Sequence, residues 1–155
     1  MKYKWSLSIG LLVLAFDQVS KWLVMKYLIP YKEVIKMTPF LNFVHIRNTG
    51  VAFGILAANQ SLLKEVFILL LTTLAILGLF FYLYYTKDVN FIKIIACGLI
   101  LGGASGNFTD RLFRGEVIDF IDFHIDHYHW PAFNVADSTV SLGIFLILLN
   151  LAIKK

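Results

Sequence analysis

A chain of 155 residues has room for one core, yet 59% of its residues are hydrophobic and only 15% are charged, well under the ~25% charged share of soluble domains. This excludes a water-soluble globule, because a core of that size cannot hide so much apolar surface, and it fits a protein whose outside meets lipid. The net charge of +4 comes from Lys and Arg set mainly near the ends of apolar runs, where they reach headgroups, so no nucleic-acid partner is expected; the lone Cys97 excludes an internal disulfide and a CxxC site.

Runs near the ~20 apolar residues needed to cross ~30 Å of hydrocarbon predict four spans, at 6–27, 62–85, 91–111 and 135–153. The N-terminus MKYKWSLSIGLLVLAF has the basic start and apolar centre of a signal peptide. No small-x-small cleavage site follows, so it is expected as a retained first span, interrupted by Asp17, Gln18, Ser20 and Lys21. The segment YKEVIKMTPFLNFVHIRNTGVAFGILAANQ is rich in β-branched and aromatic residues, with Pro30, Pro39, Gly50 and Gly54 as breakers, which predicts short strands. Within it Leu41, Phe43 and His45 alternate imperfectly with Asn42, Val44 and Ile46.

The YYTKDVN connection is short, so spans two and three are expected as antiparallel neighbours. Span three closes in GGASGNFTDR, where Gly102, Gly103 and Gly106 let another backbone approach. VIDFID then reads as a further extended segment before span four. The architecture expected is an integral membrane protein, mainly α, in a single domain over 1–155: four transmembrane helices with a small β-sheet on the membrane surface. An even number of spans puts both termini on one side. Lys and Arg divide six against seven between the two sides; the denser charge of the first tail, the tight loop and the C-terminal pair assigns those to the cytoplasm.

Acids then gather on one face. At ~1.5 Å of rise per residue, Asp17 lies about 16 Å in from the terminal side, Asp110 roughly 28 Å along span three, and Asp137 about 24 Å from the end of span four. Asp119 in loop three shares their face. Asp17 and Lys21 are four apart, an arrangement that either lowers the cost of burying two charges or braces a polar site facing the protein interior. Asn107, Asp110 and Arg111 form one stripe, with Arg111 able to fork onto a carboxylate or to anchor at the interface. Asp137 follows Asn134 by three, so either could cap span four.

Two carboxylates held close in a partly dry site cannot both ionise easily, so one keeps a proton near neutral pH. The ionised partner can take a proton from attacking water while the other polarises a peptide carbonyl and later serves the leaving amine. Asp119 and Asp137, from different segments, are the candidates for such aspartyl peptidase chemistry, which needs no metal and no cofactor. Two competing readings are a small transporter using the acids as a relay, which predicts acids spread on both sides of the midplane, and a structural subunit, which predicts no joint dependence on two distant acids. His124, Asp126, His127 and His129 have metal-binding donors, but in a strand His127 and His129 share a face that His124 does not, so a wet polar loop is expected there.

FDQVSK in span one, RNTGVAFG in loop one, GGASGNFTDR closing span three, GEVIDFID in loop three and PAFNVADS opening span four, in this order and spacing, resemble signal peptidase II, the bacterial lipoprotein signal peptidase family, over nearly the whole chain. The resemblance implies a multi-pass aspartyl endopeptidase of the bacterial cytoplasmic (inner) membrane, with membrane lipids around it and a monomer as the simplest state. Its implied substrate is a prolipoprotein with a diacylglyceryl-modified lipobox cysteine, cleaved just before that cysteine. By motif position it implies Asp119 and Asp137 as the catalytic pair. Asp17, Lys21, Asn48, Gly50, Asn107, Asp110, Arg111 and Asn134 would support or line the site, with Asn48 and Arg111 touching substrate. It further implies an extracytoplasmic β-cradle at about 30–56 and 115–132, and a mobile surface helix around Leu56 to Leu62. Ser105, Thr109 and Val51 are small departures that remove no acid or amide.

Overall fold

The computed structural model describes residues 2–50, 61–86 and 90–153. Among these residues four helices are long and apolar enough to cross a membrane: α1 (Lys2–Tyr27), α2 (Leu62–Tyr85), α3 (Phe91–Arg114) and α4 (Val135–Ile153). Four strands, β1 (Val34–Thr38), β2 (Leu41–Asn48), β3 (Val117–Ile125) and β4 (Tyr128–His129), pair in the order β1-β2-β3-β4, each antiparallel to the next. The mainly helical membrane fold with a small sheet is thus the one expected.

The packing is the reverse of a soluble domain. Large apolar side chains such as Leu12, Leu63, Leu74 and Phe145 point outward, while Asp17, Lys21, Asp110, Asp119 and Asn134 are buried. Lipid is as apolar as leucine, so helix association must come from close backbone approach and polar contacts rather than from hiding hydrocarbon. α3 is the central helix, packed against the other three. A Cβ on Gly102 would fall 2.5 Å from the Gly10 carbonyl oxygen of α1, and one on Gly103 would fall 2.5 Å from the Ala136 carbonyl oxygen of α4. Only glycine lets three helices meet at this level. Cys97 is buried with Leu83 and Leu101 as packing.

Two helix ends run beyond the expected spans for visible reasons. α1 starts at Lys2, and its Ser6 hydroxyl donates to the Ile94 carbonyl at 2.8 Å, so its first turns dock on α3. α3 continues to Arg114, whose guanidinium bonds back to Asp110 and Gln18. It stops at Gly115, which takes the left-handed conformation at φ 74° and donates its N–H to Arg111.

The imperfect alternation of loop one has a cause. The β2–β3 register shifts between Phe43 and Ile46, so Val44 and His45 are both buried although they are adjacent. The reading of His124 as facing away from His129 fails for a similar reason. The chain reverses at Asp126, which has φ 51°, and β4 folds back so that His124 and His129 become cross-strand partners with stacked rings 4.9 Å apart.

Candidate active site

The site grows from the first turn of α4. Asn134 precedes that helix, and its side-chain oxygen accepts the Asp137 N–H at 2.9 Å, while an Asp137 carboxylate oxygen accepts the Asn134 N–H at 3.3 Å. This reciprocal pair satisfies helix N–H groups that have no partner inside the helix, and it pins the Asp137 side chain. The other end of the Asn134 amide donates to Asp119 at 2.7 Å. One asparagine therefore ties the two acids together.

Asp119 stands on β3, where the β2–β3 register sets it opposite Ile46. Its second oxygen accepts from Asn48 Nδ2 at 2.9 Å, and Asn48 Oδ1 in turn accepts the Gly50 N–H at 2.8 Å. Burial, together with the nearby Asp137 carboxylate, pushes the Asp119 carboxyl up to about 7, although the amides of Asn48 and Asn134 and the Lys21 charge pull the other way. Asp137 accepts from Asn107 Nδ2 at 2.7 Å, and Asn107 Oδ1 accepts from Lys21 Nζ at 2.9 Å and from Asn134 Nδ2 at 3.3 Å.

Under these amides lies an ionic layer. Lys21 Nζ reaches Asp17 at 2.8 Å and Asp110 at 2.7 Å, with all three side chains wholly buried. Asp17 also accepts the Ala136 N–H at 2.9 Å, binding the first turn of α4 to α1, and Asp110 accepts the Ile118 N–H at 3.4 Å, binding β3 to α3. A Cβ on Gly106 would collide with the Asp17 carboxylate, so that glycine clears the space for the layer.

Every site residue picked from the sequence falls within this connected set. Arg111 differs in its bonding: it does not fork onto a carboxylate but donates to the Gly50 carbonyl at 2.9 Å and to the Asn107 carbonyl at 3.5 Å. Asp110 is already engaged by Lys21 and Arg114, which leaves Arg111 facing the loop. Two participants escaped the sequence reading. Gln18 donates to Asp17, Asp110 and the Gly106 carbonyl at 3.1, 3.0 and 3.2 Å, and Arg114 pairs with Asp110. The four-residue spacing of Asp110 and Arg114 was the available signal; Gln18 carried none beyond its place in an apolar run. The surface helix expected around Leu56 to Leu62 falls mostly in residues 51–60, outside the described residues.

Asn48, Arg111, Asp119 and Asp137 line one cavity of about 490 Å³, walled by Val117, Trp130, Pro131, Phe133, Val140 and Ile144. An apolar trough with a few convergent polar groups suits a substrate that is itself largely hydrocarbon.

The model of the family described as Signal peptidase (SPase) II matches residues 9–153. The chain belongs to the signal peptidase II family. Among its relatives, the lipoprotein signal peptidase of Thermodesulfovibrio yellowstonii is 45% identical over 144 residues, 93% of this chain and 91% of that one. Those of Syntrophus aciditrophicus and Francisella tularensis subsp. novicida are each 38% identical, covering 93% and 90% of this chain and 89% and 86% of theirs. Two solved structures of a bacterial membrane enzyme superpose with TM-scores of 0.85 and 0.83 at 35% identity. They cover 95% and 94% of this chain and 87% and 91% of the solved chains. Membership in signal peptidase II makes the chain a peptidase of the bacterial membrane.

Proposed function

We propose that the chain is an aspartyl endopeptidase that cleaves prolipoproteins just before a diacylglyceryl-modified lipobox cysteine, with Asp119 and Asp137 as its catalytic pair. The observation that carries this reading is Asn134, whose side-chain amide bonds the Asp119 carboxylate of β3 and the Asp137 N–H of α4 while its own backbone N–H reaches the Asp137 carboxylate, so that both acids face one cavity. Asp119, with its carboxyl pushed up to about 7, retains the shared proton near neutrality. Asp137 sits in the first turn of α4, where the helix N-terminus favours negative charge.

Water between the pair gives its proton to Asp137 and attacks the scissile carbonyl carbon, while the proton on Asp119 moves toward the carbonyl oxygen. Collapse of the tetrahedral intermediate breaks the C–N bond, and the proton held by Asp137 passes to the leaving amine of the cysteine. Asn48 and Arg111 at the cavity edge position the substrate backbone, and the apolar wall receives its hydrocarbon. The buried layer of Asp17, Lys21, Asn107 and Asp110 keeps the acids in place, and Gly50 offers its carbonyl to hold Arg111. The enzyme works as a single chain in the cytoplasmic membrane, its termini in the cytoplasm and its sheet and acids on the extracytoplasmic side, where the scissile bond of a membrane-held lipopeptide lies.

The test is reconstitution with a diacylglyceryl-modified prolipoprotein, comparing the parent with Asp119→Asn and Asp137→Asn. Both variants are expected to fold and to lose cleavage by at least ~10²-fold; a folded variant cleaving at the parental rate removes its residue from the mechanism.

A further inference from the structure

A second cavity, about 410 Å³, opens where α1 passes beneath the sheet and shares no lining residue with the acid-lined one. Phe16, Leu23 and Tyr27 of α1, Phe43 of β2, Phe120 of β3 and Val135 of α4 form its walls. Among the described lining residues, only Ser20 and Tyr27 carry side-chain oxygens. The Ser20 hydroxyl is engaged by the Asp17 carbonyl at 2.8 Å, and Tyr27 stands 65% exposed at the rim.

These walls restrict the occupant. A peptide would bring backbone N–H and C=O groups with nothing to bond them, at a large cost in an apolar site. Water needs two to four polar partners that the interior does not offer. Leaving the volume empty would forfeit dispersion contacts along its whole lining. A hydrocarbon chain meets all three conditions, and the outward-facing Phe16 and Leu23 make the groove continuous with the lipid-facing side of α1.

The rim adds charge. Lys26 Nζ lies 4.9 Å from the Trp22 ring centroid and 5.2 Å from that of Tyr27, so a cation is held over aromatic rings at the end of α1. Trp and Tyr with a Lys at the end of a span mark headgroup depth. We propose that this groove binds one acyl chain of an anionic bilayer phospholipid, with the lipid phosphate resting on Lys26. The bound chain packs on Phe120 and Val135, the residues next to Asp119 and Asn134, and so supports from behind the two segments that carry the acids.

The test uses the full chain in nanodiscs containing phosphatidylglycerol with a photoactivatable diazirine in its acyl chain, with labelled residues mapped by mass spectrometry. Labelling of Leu23, Phe43 and Phe120 is expected to exceed that of Leu70 and Leu74 on the outward face of α2 severalfold. Ser20→Phe and Val24→Phe, which fill the groove from α1, are each expected to reduce it severalfold while leaving α2 labelling unchanged, and Lys26→Gln is expected to lower the yield. Comparable labelling of groove and α2 in the unmodified chain overturns the site whether or not the variants fold. Groove labelling that resists both filling variants does so too, as does labelling blocked by added lipidated substrate, which would assign the groove to the substrate. Unchanged yield in Lys26→Gln overturns the headgroup assignment.

Discussion

Lys21→Met tests the proposition that a buried cation organises the acids above it. The ammonium lies 2.8 Å from Asp17, 2.7 Å from Asp110 and 2.9 Å from Asn107, and none of the Lys21, Asp17 and Asp110 side chains reaches the surface. Removing one partner of such a buried pair costs about 3–5 kcal/mol, because the other charge is left without compensation. Asp110 keeps Arg114 and Gln18, but Asp17 keeps only the Gln18 amide and the Ala136 N–H among its described partners, so most of the loss falls on Asp17. The double variant Lys21→Met with Asp17→Asn removes both charges and preserves an oxygen for Ala136; it is expected to recover most of the stability. Cleavage should not return with it. Lys21 obliges Asn107 Oδ1 to face the ammonium, which leaves Nδ2 for Asp137. Without Lys21, Asn107 Oδ1 keeps only the longer 3.3 Å bond from Asn134, so the amide that holds Asp137 loosens, and a misplacement of about 1 Å costs about a hundredfold in rate. Unfolding in detergent and prolipoprotein cleavage, measured on parent, single and double variants, separate the two effects. A single variant within about 1 kcal/mol of the parent would refute the energetic claim, and a double variant that regained cleavage along with stability would refute the positioning claim.

The raised Asp119 carboxyl sets a pH dependence: kcat/KM is expected to fall as pH rises through about 7, as the shared proton is lost, and a flat profile to pH 9 would contradict this. The same group gives a stability slope. Its native value of about 7 exceeds the ordinary ~3.9 of an unfolded Asp, so the native state holds more protons between those values and its stability falls as pH rises across that window; Asp119→Asn is expected to flatten this part of the profile. Gly103→Ala sets a new Cβ against the Ala136 carbonyl at 2.5 Å and Thr139 Oγ1 at 2.6 Å, and is expected to destabilise by about 1–3 kcal/mol in thermal unfolding. Gly78→Ala meets nothing within 4 Å and is expected to be neutral or stabilising.

Much of the site was legible because polar residues are expensive in lipid and therefore conspicuous. Asp17 and Lys21 in an apolar run, or Asn107 and Asp110 closing another, could be marked without coordinates. Gln18 was noted only as an interruption of its span and given no role, because its three acceptors, Asp17, Asp110 and the Gly106 carbonyl, lie partly on another helix. For Arg111 the spacing left a carboxylate fork and an interface anchor both open, because position along α3 does not reveal that Arg114 and Lys21 already surround Asp110. The histidines were read on a continuous strand, and the turn at Asp126 put His124 and His129 on one face instead.

From the residue order alone come the class of solvent, the four spans, the presence of strands between them and the acids and amides from which a site could be built, because hydropathy and motif spacing are one-dimensional properties. Tertiary structure alone decides that one Asn134 amide joins Asp119 to the first turn of Asp137's helix, that Lys21 bonds the oxygen of Asn107 and leaves its nitrogen to Asp137, and that a second, largely apolar groove lies behind the acids. The first two depend on side chains 15 and 86 positions apart converging within hydrogen-bond distance, and such convergence is settled by packing, where glycines let helices touch and register shifts turn strands, rather than by local pattern.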